Sequence, residues 1–119
     1  MSELQTAAPE ANVIPPAAAA IAVPLVLVAD ADPTSRTRRT RQLEERGFRV
    51  AAARTPFEAI VKASCHLPDL ILVDASFGDS GVDETTELLS ACPATAHIPI
   101  VRLSRGRRLL SRVLAAARM

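Results

Sequence analysis

The amino-acid sequence predicts an α/β protein, a parallel sheet covered by helices on both faces. Apolar runs that end in an aspartate occur at Leu25–Asp30 and Leu70–Asp74, and buried parallel strands have this appearance. Stretches with helical capping residues and helical apolar spacing alternate with the strand-like runs. Such alternation is typical of βαβ units, whose crossovers are right-handed. Functional residues in such a sheet usually lie at the carboxyl ends of its strands.

Residues 1–24 come before the first predicted strand and are rich in alanine and proline. Proline interrupts helices, and it recurs here at Pro9, Pro15, Pro16 and Pro24. We therefore expect a flexible tail over 1–24 and one folded domain over 25–119. The apolar run 17–29 has no positive charge before it and is too short to span a bilayer, so we expect a cytoplasmic protein without a membrane contact.

Each predicted helix of the first half begins with a capping side chain followed by a proline. The first helix begins at Asp32 and ends where Gly47 follows it. The second spans residues 55–66, with a threonine as its cap. A short strand over Phe48–Ala53 is predicted between the two helices.

The second half of the folded region continues the alternation. The strand Leu70–Asp74 is followed by a loop rich in Gly, Ser and Asp over Ser76–Gly81, which we expect to be flexible. A third helix is predicted over Val82–Ala91 and a fourth strand over Ile98–Leu103. The apolar stripe of Arg107–Met119 predicts a last helix.

The first predicted helix is unusually polar on the side that should face the sheet. Its inner positions are Ser35, Arg38, Arg39, Gln42 and Arg46, with Leu43 as the main apolar exception. Long arginine stems cover apolar surface while their charge stays in water. We therefore expect this helix to pack loosely on the sheet or to cover a partner.

Composition and charge exclude several classes of function. The formal net charge of +1 gives no overall field toward nucleic acid or a membrane. The basic stretch Arg36–Arg41 has no aromatic platform and no recognition motif, so nucleic-acid binding is not expected. Cys65 and Cys92 lack metal-ligand spacing and are interpreted as small buried hydrophobic residues. There is no Ser/His or Cys/His constellation, and we do not expect an enzyme.

Aspartates close two of the predicted strands. Asp30 and Asp74 would end neighbouring strands at the switch point of a flavodoxin-like sheet, and Asp32 lies two residues beyond Asp30. Carboxylates brought together in this way repel one another, and a hard cation such as Mg²⁺ relieves the repulsion. A carboxylate beside Mg²⁺ is also able to act as a nucleophile toward a phosphoryl group.

Four stretches with matching spacing resemble the receiver domains of response regulators, the CheY-like family. They are Leu25–Pro33, the Gly47-Phe48 pair, Pro68–Asp74, and Ala94–Ile100, which approaches the fourth strand. The resemblance covers roughly Leu25–Ser104, and it implies a CheY-like parallel sheet that here lacks the fourth helix and the fifth strand.

The resemblance also implies a function in two-component phosphorelay signalling. Asp74 would accept a phosphoryl group from a histidine kinase or phosphotransfer protein. Mg²⁺ would be held by Asp30, Asp74 and the main-chain carbonyl of Ser76, with Asp32 as a further candidate ligand. Ser104 would hydrogen-bond the phosphoryl oxygens, and a downstream protein partner would read the resulting change.

The sequence departs from the family at the residues that support this chemistry. The second acid that usually follows the first strand is Ala31 here, which should weaken Mg²⁺ binding. The family's lysine near the end of the fifth strand has no counterpart, because Lys62 is the only lysine and lies in the second helix. Without a fifth strand the fourth strand becomes an exposed edge, so we expect self-association or a required partner.

Two functional hypotheses remain open at this stage. Asp74, Asp30 and Ser104 favour a receiver that is phosphorylated. Ala31 and the absent lysine favour a degenerate receiver that binds a protein partner without phosphate.

Overall fold

The structure, a computed structural model, describes residues 23–104. Its elements are β1 (Leu25–Ala29), α1 (Pro33–Glu45), β2 (Arg49–Ala53), α2 (Pro56–His66), β3 (Leu70–Asp74), a 3₁₀ turn (Ala75–Phe77), α3 (Gly78–Ala91) and β4 (Ile100–Leu103). Most of the predicted tail and the whole predicted helix over 107–119 lie outside this range, and the division into tail and domain stays a prediction. Within 23–104 no helix is long and apolar enough to cross a membrane.

The four strands form one parallel sheet in the order β2-β1-β3-β4. The chain moves outward from β1 to β2 and then crosses back to β3, so the switch point lies between β1 and β3. The predicted flavodoxin-like sheet is therefore confirmed. Residues 23–104 contain neither a fourth α-helix nor a fifth strand, as the shortened fold requires.

Both faces of the sheet are covered by helices, as predicted. Leu27, Ile71 and Val73 point to one face and pack with α2 and α3. Val28 and Leu72 point to the other face, where Leu43 of α1 is fully buried against them. The alternation of the strand side chains thus divides the core into two layers, and among residues 23–104 α1 is the helix that packs on the second face.

The ends of α1 and α2 are fixed by the residues that the sequence indicated. Asp32 accepts a hydrogen bond from the Ser35 N–H at the start of α1, and Thr55 does the same for the N–H of Glu58 at the start of α2. Gly47 follows α1 with a φ of 91°, a conformation that suits glycine.

The third helix begins four residues earlier than predicted. The stretch expected to be a flexible loop is a 3₁₀ turn followed directly by α3, which starts at Gly78. Asp79 supplies a negative charge to the first turn of this helix, where the helix dipole favours it. Gly81 packs so closely that an added Cβ would lie 3.1 Å from the Cβ of Phe77. The polar composition therefore marks an exposed first turn and a close contact rather than a loop.

The prediction that both cysteines are buried is wrong. Cys65 is exposed and Cys92 is half-buried, and both are free thiols. The buried residues of α2 are Ala59 and Ala63, one turn apart, and Cys65 lies two residues past Ala63 on the outward side of the helix.

Candidate functional site

The candidate site is the edge of the sheet where β1 and β3 end, which we call the acceptor edge. Asp30 follows β1 and is fully buried, and Asp74 ends β3 with a relative exposure of 7%. A cavity of about 350 Å³ opens beside Asp74. Its walls are Asp32, Ser35, Arg38, Arg39, Ala75 and Ser76. The structure thus brings Asp30, Asp74 and Ser76 together, as the sequence suggested, but it surrounds them with residues of α1.

The carboxylate of Asp30 is occupied by donors from the chain itself. One oxygen, Oδ1, accepts from the Ser76 hydroxyl at 2.9 Å and from the Asp32 N–H at 2.9 Å. The other, Oδ2, accepts a short hydrogen bond from the Ser35 hydroxyl. Burial penalises a carboxylate oxygen that lacks a hydrogen-bond donor, and here both oxygens have one.

Ser76 connects the segments that follow the two strands. Its hydroxyl donates to Asp30 and accepts from the Ala31 N–H at 2.9 Å, and its own N–H donates to Asp74 Oδ2 at 2.8 Å. The predicted role of Ser76 concerned only its main-chain carbonyl. Its side chain and its N–H link Asp30 and Asp74, the acidic residues at the ends of the two strands.

Asp74 lies against a buried arginine. Arg39 Nη1 is 2.8 Å from Asp74 Oδ1, and the two side chains have relative exposures of 6% and 11%. The N–H bonds of Nη1 do not align with an acceptor, so the contact is an ion pair without a hydrogen bond at that nitrogen. The expectation that the arginine charges of α1 stay in water is therefore wrong for Arg39, because its buried guanidinium finds a buried carboxylate.

Asp32 acts as the cap of α1. Its Oδ2 accepts the Ser35 N–H at 3.1 Å, and the residue is exposed at the rim of the cavity. Satisfying a free N–H at a helix start is the usual role of aspartate at this position.

Ser104 does not share the cavity of Asp74. The register pairs Asp74 with Leu103, and Ser104 is the exposed residue that follows. Ser104 lines a second cavity, of about 430 Å³, with Val73, Val82 and Asp83. Val73 and Val82 belong to the core on the α2 and α3 side, whereas Asp74 contacts α1. Asp74 and Ser104 therefore line two different cavities, and Ala75 contributes to both.

The residues at the acceptor edge do not fit Mg²⁺. Within residues 23–104 no three carboxylate, imidazole or thiolate side chains are grouped so that they would hold a metal ion. Both oxygens of Asp30 accept hydrogen bonds, and Asp74 already has a cation beside it. Ala31, where the family has an acid, adds no ligand. Mg²⁺ prefers several oxygen ligands in near-octahedral geometry, and a neighbouring guanidinium repels it.

Sequence reasoning missed Ser35 and Arg39 as members of the site. A signal was present for Arg39, since it lies four residues before Leu43 and therefore on the same face of the helix. Leu43 is fully buried, so an arginine on that face must bury its charge or bend away from the sheet. Ser35 gave no such signal, because serine in the first turn of a helix is common in any protein.

Similarity to known proteins is found at the level of structure. No protein-family model matches the sequence, and no curated protein matches it either. Solved structures do match. The N-terminal domain of a response regulator receiver protein of Methanoculleus marisnigri is 25% identical with a TM-score of 0.66, over 81% of this chain and 78% of that one.

Two further matches show the same architecture. The receiver domain of a signal transduction histidine kinase of Syntrophus aciditrophicus is 18% identical with a TM-score of 0.70, over 81% of this chain and 89% of that one. The chemotaxis response regulator CheY4 of Vibrio cholerae is 21% identical with a TM-score of 0.65, over 80% and 79%.

The chain has the receiver-domain fold. The match covers about four-fifths of the chain. The matched proteins are receivers of response regulators and of a histidine kinase, and they agree with the resemblance seen in the sequence.

Proposed function

We propose that this chain is a receiver-type signalling module that acts by contacting a protein partner, without Mg²⁺-assisted phosphorylation of Asp74. The observation that carries the proposal is the set of hydrogen bonds that the carboxylate of Asp30 accepts. Its buried carboxylate accepts three hydrogen bonds, from Ser35, Ser76 and the Asp32 N–H, so donors of the chain itself already engage both of its oxygens.

A metal ion matters because phosphoryl transfer depends on charge neutralisation. The transferred group spreads negative charge over its oxygens, and a divalent cation normally stabilises that charge in the transition state. At the acceptor edge the side chains neutralise each other instead. The fold of a receiver is retained, while the chemistry of the acceptor edge is replaced by internal hydrogen bonds and an ion pair.

A second candidate function is acceptance of a phosphoryl group on Asp74 from a histidine kinase or a phosphotransfer protein. One observation favours it. Asp74 ends β3 and lines an open cavity of about 350 Å³, so its carboxylate is within reach of a small phosphodonor. Under this alternative, the ion pair with Arg39 would have to open, or the guanidinium would have to serve the phosphoryl oxygens itself.

Intact mass spectrometry distinguishes the two functions. The chain is incubated with acetyl phosphate and Mg²⁺ beside an ordinary receiver as a positive control. We expect no mass increase in this chain under conditions that label the control. An increase of one phosphoryl group that disappears in Asp74→Asn would establish the second function and overturn the first.

The output of the module is proposed to be a contact with another protein in the cytoplasm. The described part of the chain is a single receiver fold, and it contains no separate output domain. Affinity capture with the whole chain, compared with Asp74→Asn, tests whether partner binding depends on the acceptor position. Equal capture by both forms is expected.

A further inference from the structure

Arg39 brings a positive charge to the acceptor edge from the middle of α1. Its guanidinium lies 2.8 Å from Asp74, and the whole residue has a relative exposure of 5%. Burying a charge costs several kcal/mol unless a partner of opposite sign lies beside it. An apolar residue would pack there without this cost, so the Asp74 carboxylate is what makes the burial of Arg39 tolerable.

A second arginine of α1 contacts the same edge. Arg36 Nη1 donates to the main-chain carbonyl of Asp30 at 2.9 Å. Arg36 and Arg39 are three residues apart, so they lie on one side of the helix, one turn from each other. Arg36 thus contacts the main chain of Asp30, whereas Arg39 is the arginine that lies against a carboxylate of the edge.

We propose that Arg39 is the resident cation of this site, neutralising Asp74 from a fixed position on α1 in place of a divalent metal ion. The inference rests on the metal-free function proposed above and deepens it. The occupancy of a metal site depends on the concentration of the metal ion, whereas a guanidinium on a helix is always present. The acceptor edge would accordingly stay in one electrostatic state whatever the Mg²⁺ level.

The inference predicts that removing Arg39 converts the edge into a metal site once the missing acid is restored. Ala31 is exposed, and its main-chain N–H donates to the Ser76 hydroxyl, so an aspartate at position 31 leaves that hydrogen bond in place. In Ala31→Asp/Arg39→Gln, a carboxylate is added directly after Asp30, and the guanidinium beside Asp74 no longer opposes a divalent cation.

The test is the Mg²⁺ dependence of thermal unfolding, followed by circular dichroism because the chain has no Trp or Tyr. Ionic strength is matched with KCl. The control is Ala31→Asp/Arg41→Gln, which removes an exposed arginine of the same helix that does not line the cavity. We expect Ala31→Asp/Arg39→Gln to bind Mg²⁺ at least about tenfold more tightly than the control.

Each outcome bears on one claim. Equal Mg²⁺ affinity in the two double variants would overturn the assignment of Arg39 and leave the metal-free function standing. Stabilisation of the wild-type chain by Mg²⁺ beyond the KCl control would instead overturn the metal-free function. The two failures are therefore distinguishable in a single experiment.

A double-mutant cycle covers the case in which the Arg39 variant folds poorly. Arg39→Gln, Asp74→Asn and the double variant are compared by urea denaturation. We expect the double variant to be more stable than the sum of the single effects, with a coupling of at least about tenfold in the unfolding equilibrium constant. Additive effects would show that the two side chains do not neutralise one another, and the inference would fall.

Discussion

At the scale of single residues, the acceptor edge is held together by hydrogen bonds and an ion pair between neighbouring side chains. Ser35 and Ser76 donate to Asp30, Asp32 caps α1, and Arg39 neutralises Asp74. The hydrogen bonds to Asp30 and the ion pair with Asp74 offset the cost of burying these two carboxylates. Under the proposed function, these contacts take the place of metal-assisted phosphorylation at the acceptor position.

The Ser35 hydroxyl gives a prediction at this scale. Ser35→Ala removes the donor to Asp30 Oδ2 and leaves a fully buried carboxylate oxygen without that partner. The expected loss in the free energy of unfolding is about 1–3 kcal/mol. Urea denaturation measures it, with Ser64→Ala as the matched control because the Ser64 hydroxyl is exposed and donates only to its own helix. A loss no greater than that of the control would contradict the role given to Ser35.

At the scale of elements, local sequence signals predicted most of the architecture. Capping residues and apolar runs located α1, α2 and β3 to within a residue or two, because these features act over a few neighbouring positions. The start of α3 was missed, since Gly78 and Gly81 resemble a loop in composition while one packs against Phe77. Arg39 was misjudged for another reason: the partner that makes its burial tolerable, Asp74, lies on a different element.

The start of α2 gives a prediction about pH. The Arg54 N–H donates to Glu58 Oε1 at 2.7 Å, and Lys62 lies beside the same carboxylate. These contacts hold the pKa of Glu58 below its usual range. Because the pKa is lower in the folded state, the stability that Glu58 contributes is present above the usual glutamate range and is lost as the pH falls through the folded pKa.

Glu58→Gln should therefore lower the stability slightly at neutral pH and flatten its decline in acid. Unfolding in urea at a series of pH values measures both effects. Glu45→Gln is a suitable control, since Glu45 is exposed at the end of α1. An acid limb of the wild-type profile that is unchanged in Glu58→Gln would exclude Glu58 as its source.

At the scale of the whole molecule, β2 and β4 are the two edge strands of the described sheet. Among residues 23–104, β4 pairs only with β3 and β2 pairs only with β1. On the β2 side, Lys62 donates to the Ala52 carbonyl at 2.6 Å and so occupies one main-chain group. Charged lysines of this kind blunt an edge against pairing with another chain.

Self-association through the β4 edge remains a prediction for the complete chain. Sedimentation velocity at about micromolar concentration should show a species larger than the monomer, because the outer edge of β4 pairs with no strand of residues 23–104 and such edges favour pairing with a second chain. A purely monomeric profile over that range would contradict it.

The central claim is that the side chains of this receiver fold occupy their own acceptor edge, so that neither Mg²⁺ nor phosphate is needed there. Two-dimensional ¹H–¹⁵N NMR of the wild-type chain tests it most directly, with Mg²⁺ added alone and then together with acetyl phosphate. We expect the amide signals of Ala31, Asp74 and Ser76 to shift no further in Mg²⁺ and acetyl phosphate than they do in matched KCl. Saturable shifts confined to these amides would contradict it.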